Sequence, residues 1–277
     1  MLSQTEDHLG RGFEKAMNKH SKPLLVLWLL ISAAQLMADE VANVAVASNF
    51  STPMKALVTQ FEQNYSGKIR ASYASSGKLF AQIQHGAPFH VMLSADEKIP
   101  AALVEKNLAE ESSRFTYAIG ALVFWSPNSD DALLARRRLM SMKFDRLALA
   151  NPKHAPYGRA AIETLRVLGL EAMTKKRRVT GENIAQTYHF VSTGNAETGF
   201  VARSQLATSQ LASSSNTWLV PSEYHSAIKQ DAVLLRRGRN NRLAIDFLRY
   251  LRSESALEII RQYGYHVADA ERVMNGK

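Results

Sequence analysis

Short apolar runs alternate with amphipathic stretches along the chain from residue 40 onward. The runs predict β-strands, because they are rich in Val, Ile, Leu and Ala and are bounded by polar or turn-forming residues. The stretches between them repeat apolar residues every three or four positions, as helices with one buried face do. The first series predicts strands over residues 44–47, 68–73 and 90–93, and helices over 53–65, 79–85 and 99–106. Repeated strand–helix crossovers imply a mostly parallel sheet with helices on both faces.

A second series of the same kind follows a long apolar strand over residues 117–125. It predicts strands over 146–150 and 199–202 and helices over 159–168 and 183–190, before a strand at 228–235 and a long helix at 243–263. A long strand separates the two series, and another strand follows late in the chain. This pattern indicates two lobes that are linked by two crossings of the chain. We therefore predict an α/β protein with two lobes, each a mostly parallel sheet flanked by helices, joined by two crossing strands. The first lobe would comprise residues 39–119 and 228–277, and the second residues 120–227.

The first 38 residues differ in character from the rest. Lys15, Lys19 and Lys22 precede an uncharged stretch of 16 residues, 23–38, whose centre is strongly apolar. A basic segment followed by an apolar one of this length is typical of a secretory signal peptide, here cleaved after Ala38. A membrane anchor is the alternative, but a spanning helix needs roughly 20 apolar residues. Residues ahead of Met17 are interpreted as a possible upstream extension.

The amino-acid composition limits which kinds of site and binding partner the chain can have. The 277 residues include no cysteine, which excludes disulfides, cysteine-based metal sites and a cysteine lipid anchor. The net charge of +9 comes partly from basic runs at 136–138, 175–178 and 236–239. These runs have no interleaved aromatic residues on which bases could stack. We interpret them as solvated surface and expect no nucleic-acid partner, a nucleic-acid-binding module remaining the alternative.

Four loops share one local pattern, in which a strand ends, small or hydroxyl-bearing residues follow, and a helix begins. They span residues 47–53, 73–78, 151–158 and 181–184. A helix N-terminus presents unpaired backbone N–H groups and a partial positive charge, and so binds anions without a cationic side chain. Each loop alone could equally be an ordinary helix cap. Together they indicate a site for a small anion or polar ligand.

The same residues give little support to an enzymatic function. Residues 75–78 match the S-x-x-K nucleophile motif of penicillin-recognising enzymes, but the companion motifs S-D-N and K-T-G are absent. The eight histidines are scattered, and no carboxylates cluster with His85 and His90. We therefore expect neither catalysis nor a directly ligated metal. An exported serine hydrolase with Ser48 or Ser76 as nucleophile remains the alternative from a different class.

A set of short motifs then carries a specific resemblance. Their order along the chain is Ser48-Asn49-Phe50, Ser75-Ser76-Gly77, Gly86-Ala87-Pro88, Ser94-Ala95-Asp96, Ala155-Pro156-Tyr157-Gly158 and Tyr263-Gly264-Tyr265. With them the mature chain resembles, over nearly its whole length, the periplasmic molybdate-binding proteins of ABC-type transporters. The resemblance implies a two-lobed, type II-like periplasmic binding fold with the anion between the lobes. It also implies molybdate or tungstate as ligand, no cofactor, a monomer, and an inner-membrane permease with its ATPase as partner.

The resemblance further implies the ligand residues. Ser48, Asn49 and Ser76 would bind the anion from the first lobe, with Asn49 acting chiefly through its backbone amide. Tyr157 and Ile184 would donate from the second lobe, with Ile184 acting through its N–H alone. Some family members use a tyrosine hydroxyl from the strand at 199–202, where this chain has none, so Tyr157 is expected to fill that role. Sulfate or another oxyanion is the alternative ligand.

Overall fold

The computed structural model describes residues 40–127, 132–207 and 216–267, which belong to one compact unit. The segment interpreted as a signal peptide, residues 1–38, lies outside this part of the chain. In the part described, no helix combines the length and the apolar character needed to cross a membrane.

The first of two five-stranded sheets consists of β1 Val41–Ala47, β2 Lys68–Ala74, β3 Val91–Leu93, β4 Phe115–Gly120 and β10 Ile228–Leu234. β1 pairs in parallel with β2 and β3, whereas β10 pairs antiparallel with β3 and β4. Four strands thus run in one direction and β10 runs in the other. The order of the strands across this sheet is β2-β1-β3-β10-β4.

The second sheet repeats this arrangement with the strands β5 Leu122–Trp125, β6 Leu147–Ala150, β7 Arg178–Gly181, β8 Thr198–Ala202 and β9 Thr217–Leu219. β6 pairs in parallel with β7 and β8, and β5 pairs antiparallel with β8 and β9. The order of the strands across this sheet is β7-β6-β8-β5-β9. In both sheets the reversed strand is the one that begins just after the chain has crossed over. The predicted α/β, two-lobed fold class is confirmed.

Helices cover the faces of both sheets. The described helices are α1 Ser51–Asn64, α2 Ser76–Gln84, α3 Lys98–Glu105, α4 Ala132–Met140, α5 Pro156–Val167, α6 Glu171–Thr174, α7 Ile184–Ser192, α8 Arg203–Leu206, α9 Arg242–Tyr250 and α10 Glu254–Gln262. We call the first sheet with its helices the first lobe, and the second sheet with its helices the second lobe. The lobe boundaries predicted from the sequence stay a prediction.

Central strands are buried on both faces, which explains their continuous apolar runs. Val44 and Val46 of β1 pack in a core with Phe61 and Phe247, whereas Ala45 between them faces a second core. In the second lobe Leu147 and Leu149 of β6 likewise face one core and Ala148 the other. The alternation follows from the two-residue period of a strand.

The strand predicted over residues 117–125 is in fact two strands in different sheets. Gly120 ends β4 and pairs with Ile228, whereas Leu122 begins β5 and pairs with Ala202. Ala121 is the single residue between them. The apolar pattern runs through the crossing unbroken, because the residues on both sides of it are buried in their own lobes.

The helix predicted over 243–263 is also divided. α9 ends at Tyr250, and α10 begins after Ser253, whose hydroxyl accepts a hydrogen bond from the Ala256 N–H. Such a bond satisfies a backbone donor that the start of a helix leaves unpaired. Ser253 therefore begins a new helix within a stretch that is amphipathic throughout.

Candidate functional site

The four loops meet at one small cavity between the lobes. Its lining residues are Ala47, Ser48, Asn49, Ala74, Ser75, Ser76, Ala95, Ala155, Pro156, Tyr157 and Ile184. All five residues expected to bind an anion are among them, and each is at most 4% exposed. The cavity has a volume of about 10 Å³, close to the room that one water-sized sphere occupies.

The first loop places Asn49 at the cavity through its backbone. β1 ends at Ala47, and a 3-10 turn, Ser48–Phe50, leads into α1. The Asn49 side chain is occupied elsewhere, since Nδ2 donates to Gln230 Oε1 at 2.8 Å and to the Tyr265 hydroxyl at 2.9 Å. The first N–H groups of such a turn have no carbonyl partner within it. Ser48 and Asn49 can therefore offer amide donors, and Ser48 a hydroxyl as well.

The second loop presents a serine hydroxyl whose hydrogen is oriented by a neighbour. Ser76 is the first residue of α2 and is fully buried. Its Oγ accepts a hydrogen bond from the Ala95 N–H at 2.9 Å. Because a hydroxyl has one donor beside its acceptor capacity, this contact leaves the Ser76 O–H free to donate to a ligand.

In the third loop, proline makes Tyr157 the first N–H donor of its helix. Pro156 occupies the first turn of α5 and has no N–H. The Tyr157 hydroxyl accepts a hydrogen bond from Gln230 Nε2 at 3.2 Å. It also lies beside Gly120, where an added Cβ would come within 2.1 Å of it. Burial, with smaller contributions from Tyr265 and Tyr117, raises the Tyr157 pKa well above its ordinary value, so the phenol stays protonated.

The fourth loop leaves one backbone donor at the cavity. Asn183 caps α7, its Oδ1 accepting hydrogen bonds from the N–H groups of Ala185 and Gln186, both at 3.0 Å. These bonds use the second and third donors of the helix. Ile184, the first residue of α7, is not part of that cap, and its buried position lines the cavity. Its own carbonyl accepts a hydrogen bond from Gln205 Nε2 at 3.0 Å.

Behind the loops lies a buried polar network that the sequence analysis missed. Gln230 is its centre, with Oε1 accepting from Asn49 and from the Tyr117 hydroxyl at 3.1 Å. The Tyr265 hydroxyl lies 3.0 Å from the Asn49 carbonyl oxygen and 2.9 Å from Ser204 Oγ. Burial raises the Tyr265 pKa to about 12. Three consecutive polar residues, Lys229, Gln230 and Asp231, in a strand whose other four residues are apolar were the available sequence signal.

No charged side chain is among the cavity-lining residues in the part of the chain that the structure describes. Two ion pairs connect the lobes nearby, Lys78 with Glu182 and Arg159 with Asp96. Across the described ranges, no group of three or more His, Cys, Asp or Glu side chains is placed to hold a metal ion. The described lining of the cavity also has no histidine or carboxylate that could act as a base for Ser48 or Ser76. This arrangement can donate hydrogen bonds to a compact acceptor but is poorly suited to nucleophilic catalysis.

Comparisons with known proteins cover most of the chain. The family model of bacterial extracellular solute-binding proteins matches residues 42–266. The molybdate-binding protein ModA of Azotobacter vinelandii is 44% identical over 237 residues, covering 86% of this chain and 93% of the relative. ModA of Rhodobacter capsulatus is 42% identical over 242 residues, covering 87% and 92%.

Solved structures extend the similarity to three dimensions. The periplasmic molybdate-binding protein of Azotobacter vinelandii superposes with a TM-score of 0.78 at 33% identity, covering 82% of this chain and 99% of that one. The sulfate-binding protein SubI of Mycobacterium tuberculosis has a TM-score of 0.66 at 11% identity, covering 84% and 88%. At that identity the second match reflects the shared fold alone.

Proposed function

We propose that this chain, which belongs to the family of bacterial extracellular solute-binding proteins, captures molybdate and delivers it to a membrane permease of the ABC type with its ATPase. Tungstate binds as well, since the two dianions are nearly identical in size and charge. Both solved and curated relatives at 33–44% identity carry the name molybdate-binding protein, which supports this choice of ligand.

One observation carries the proposal. Four strand-to-helix loops, two from each lobe, converge on a small cavity of about 10 Å³ whose described lining residues are neutral. Converging helix N-termini and hydroxyl donors stabilise a dianion through dipoles rather than through a counter-ion. A ligand that only accepts hydrogen bonds satisfies such a site completely.

The donors are assigned residue by residue. Ser48 and Ser76 donate through hydroxyl and amide groups, and Asn49 through its amide, because its side chain is bonded to Gln230 and Tyr265. Ile184 donates its N–H. For Tyr157 the backbone N–H is the better donor, since its hydroxyl lies within the buried polar network beside Gly120 and Gln230.

Selectivity follows from size and protonation. Molybdate and tungstate are fully deprotonated at neutral pH and larger than sulfate. Phosphate carries a proton that would face donors with no acceptor opposite it, and an unmet buried donor costs about 1–3 kcal/mol. The site therefore discriminates against phosphate by hydrogen bonding and against sulfate by fit.

The proposal also includes the cellular location of the protein and the closure of its two lobes. The family is one of extracellular proteins, and here the signal peptide 1–38 is cleaved to release a monomer into the periplasm. The lobes, residues 39–119 with 228–277 and residues 120–227, close on the anion. The cross-lobe contacts around the cavity, such as the Gly77 N–H donating to the His154 carbonyl at 3.0 Å, then hold the closed form.

Calorimetric titration of purified residues 39–277 with molybdate, tungstate, sulfate and phosphate tests the function. We expect tight binding of the first two anions and weak or absent binding of the others. Ser76→Ala should lower molybdate affinity about 10- to 100-fold, the effect of one hydrogen bond to a charged group. The matched control is Ser112→Ala, because Ser112 is exposed and distant from the cavity. Equal affinity for sulfate and molybdate would refute the molybdate assignment.

A further inference from the structure

Ser75 carries a buried hydroxyl that has no hydrogen-bond partner among the described residues. The residue is among those that line the cavity, and it is only 3% exposed. Buried hydroxyls are nearly always paired, so an unpaired one calls for a physical explanation.

Helix capping does not supply that explanation. Ser75 occupies the N-cap position of α2 with an extended backbone, φ −67° and ψ 148°, but its side chain makes no capping hydrogen bond. Its carbonyl accepts the Leu79 N–H at 3.0 Å, as an N-cap carbonyl ordinarily does. The backbone role of the residue is thus fulfilled while the hydroxyl is left over.

The neighbouring serine shows what a paired hydroxyl looks like here. Ser76 Oγ receives the Ala95 N–H, whereas nothing in the described structure engages Ser75 Oγ. Both residues line the same cavity. An oxyanion bound there would bring four acceptor oxygens and no donor, which is the partner that an unpaired O–H requires.

We propose that Ser75 is a further anion ligand, donating its hydroxyl to the bound oxyanion alongside Ser76. This inference rests on the proposed oxyanion-binding function. It predicts that the hydroxyl stabilises the complex, whereas no contact within the described protein depends on it. Removing it should therefore weaken binding without destabilising the empty protein.

The test compares Ser75→Ala and Ser75→Gly with wild type in residues 39–277. Both variants remove the hydroxyl, and glycine preserves good N-cap behaviour. Titration with sodium molybdate should show about tenfold lower affinity in each, as expected for one lost hydrogen bond to a charged group. The melting temperature without ligand should be unchanged or higher in at least one variant.

Thr164→Val provides the control for loss of a buried hydroxyl elsewhere. Thr164 is fully buried, and its Oγ1 donates to the Ala160 carbonyl at 2.8 Å. Its variant should melt at a lower temperature and bind molybdate like wild type. Wild-type affinity in both Ser75 variants would overturn the inference while leaving the proposed function intact. Absence of molybdate binding by wild type would overturn the function and the inference together.

Discussion

Replacing Gly77 by alanine tests whether the cross-lobe contact is part of binding. Gly77 lies in the first turn of α2 in the first lobe, and its N–H donates to the His154 carbonyl of the second lobe at 3.0 Å. A Cβ at this position would lie 3.0 Å from His154 Cα and 3.1 Å from its carbonyl oxygen. Two of the contacts are to backbone, which cannot rotate away, so the two loops must separate by a few tenths of an ångström.

The two expected consequences have opposite signs. Within a helix alanine is more favourable than glycine by about 0.5–1 kcal/mol, so α2 itself gains stability. Across the lobes the added methyl group overpacks the contact, which typically costs about 1–3 kcal/mol. If the contact belongs to the anion-bound form, that cost falls on binding and amounts to a roughly 5- to 100-fold loss of affinity.

The assay is a molybdate titration paired with ligand-free thermal unfolding. Gln82→Ala is the control, because Gln82 is exposed on the same helix. It should change neither quantity appreciably. Gly77→Ala with wild-type affinity would show that the lobes need not approach as closely as this contact requires, and the reasoning would fail.

Three further predictions concern neighbouring groups. Gln230→Glu places a carboxylate beside Asn49, so molybdate affinity should fall at least about tenfold at pH 8 and partly recover at pH 6, where burial favours the neutral carboxyl. Asn183→Ala removes the cap of α7 and should lower stability by about 1 kcal/mol, with weaker binding through the displaced Ile184 N–H. Glu197→Gln should destabilise the protein at neutral pH, because this carboxylate accepts the backbone N–H groups of Asp145 and Arg146, just before β6, both at 2.8 Å.

The Glu197 prediction has a defined pH dependence. Burial alone would raise its pKa, but the two backbone hydrogen bonds and nearby Arg146 and Arg138 outweigh it and hold the pKa below its ordinary value. The stabilisation is therefore complete above the unfolded pKa of about 4.3 and is lost as the pH falls through the folded value. Wild type and variant should converge in acid urea denaturation. A constant difference down to pH 3, or a Gln230→Glu affinity without pH dependence, would contradict these assignments.

The sequence alone indicated most of the strands and helices, together with the four loops that hold the candidate site. Continuous apolar runs such as β1 and β6 identify strands buried on both faces, because only such strands have no polar side to present. Small and hydroxyl-bearing residues at the four strand-to-helix loops indicated a site for a small anion or polar ligand. The family resemblance then implied Ser48, Asn49, Ser76, Tyr157 and Ile184, which all line one cavity. These features are local, since each depends on a few consecutive residues.

Only the tertiary structure decided how those pieces are partnered. The apolar run at 117–125 does not reveal that Gly120 and Leu122 pair in different sheets, because burial looks the same in either lobe. The roles of Ser75 and Ser76 cannot be separated from sequence, since they differ only in whether the distant Ala95 N–H reaches the hydroxyl. Gln230 joins loops from both lobes across 181 and 73 residues of chain. Hydrogen-bond partners so far apart are set by the packed arrangement of strands, which no local pattern of residues encodes.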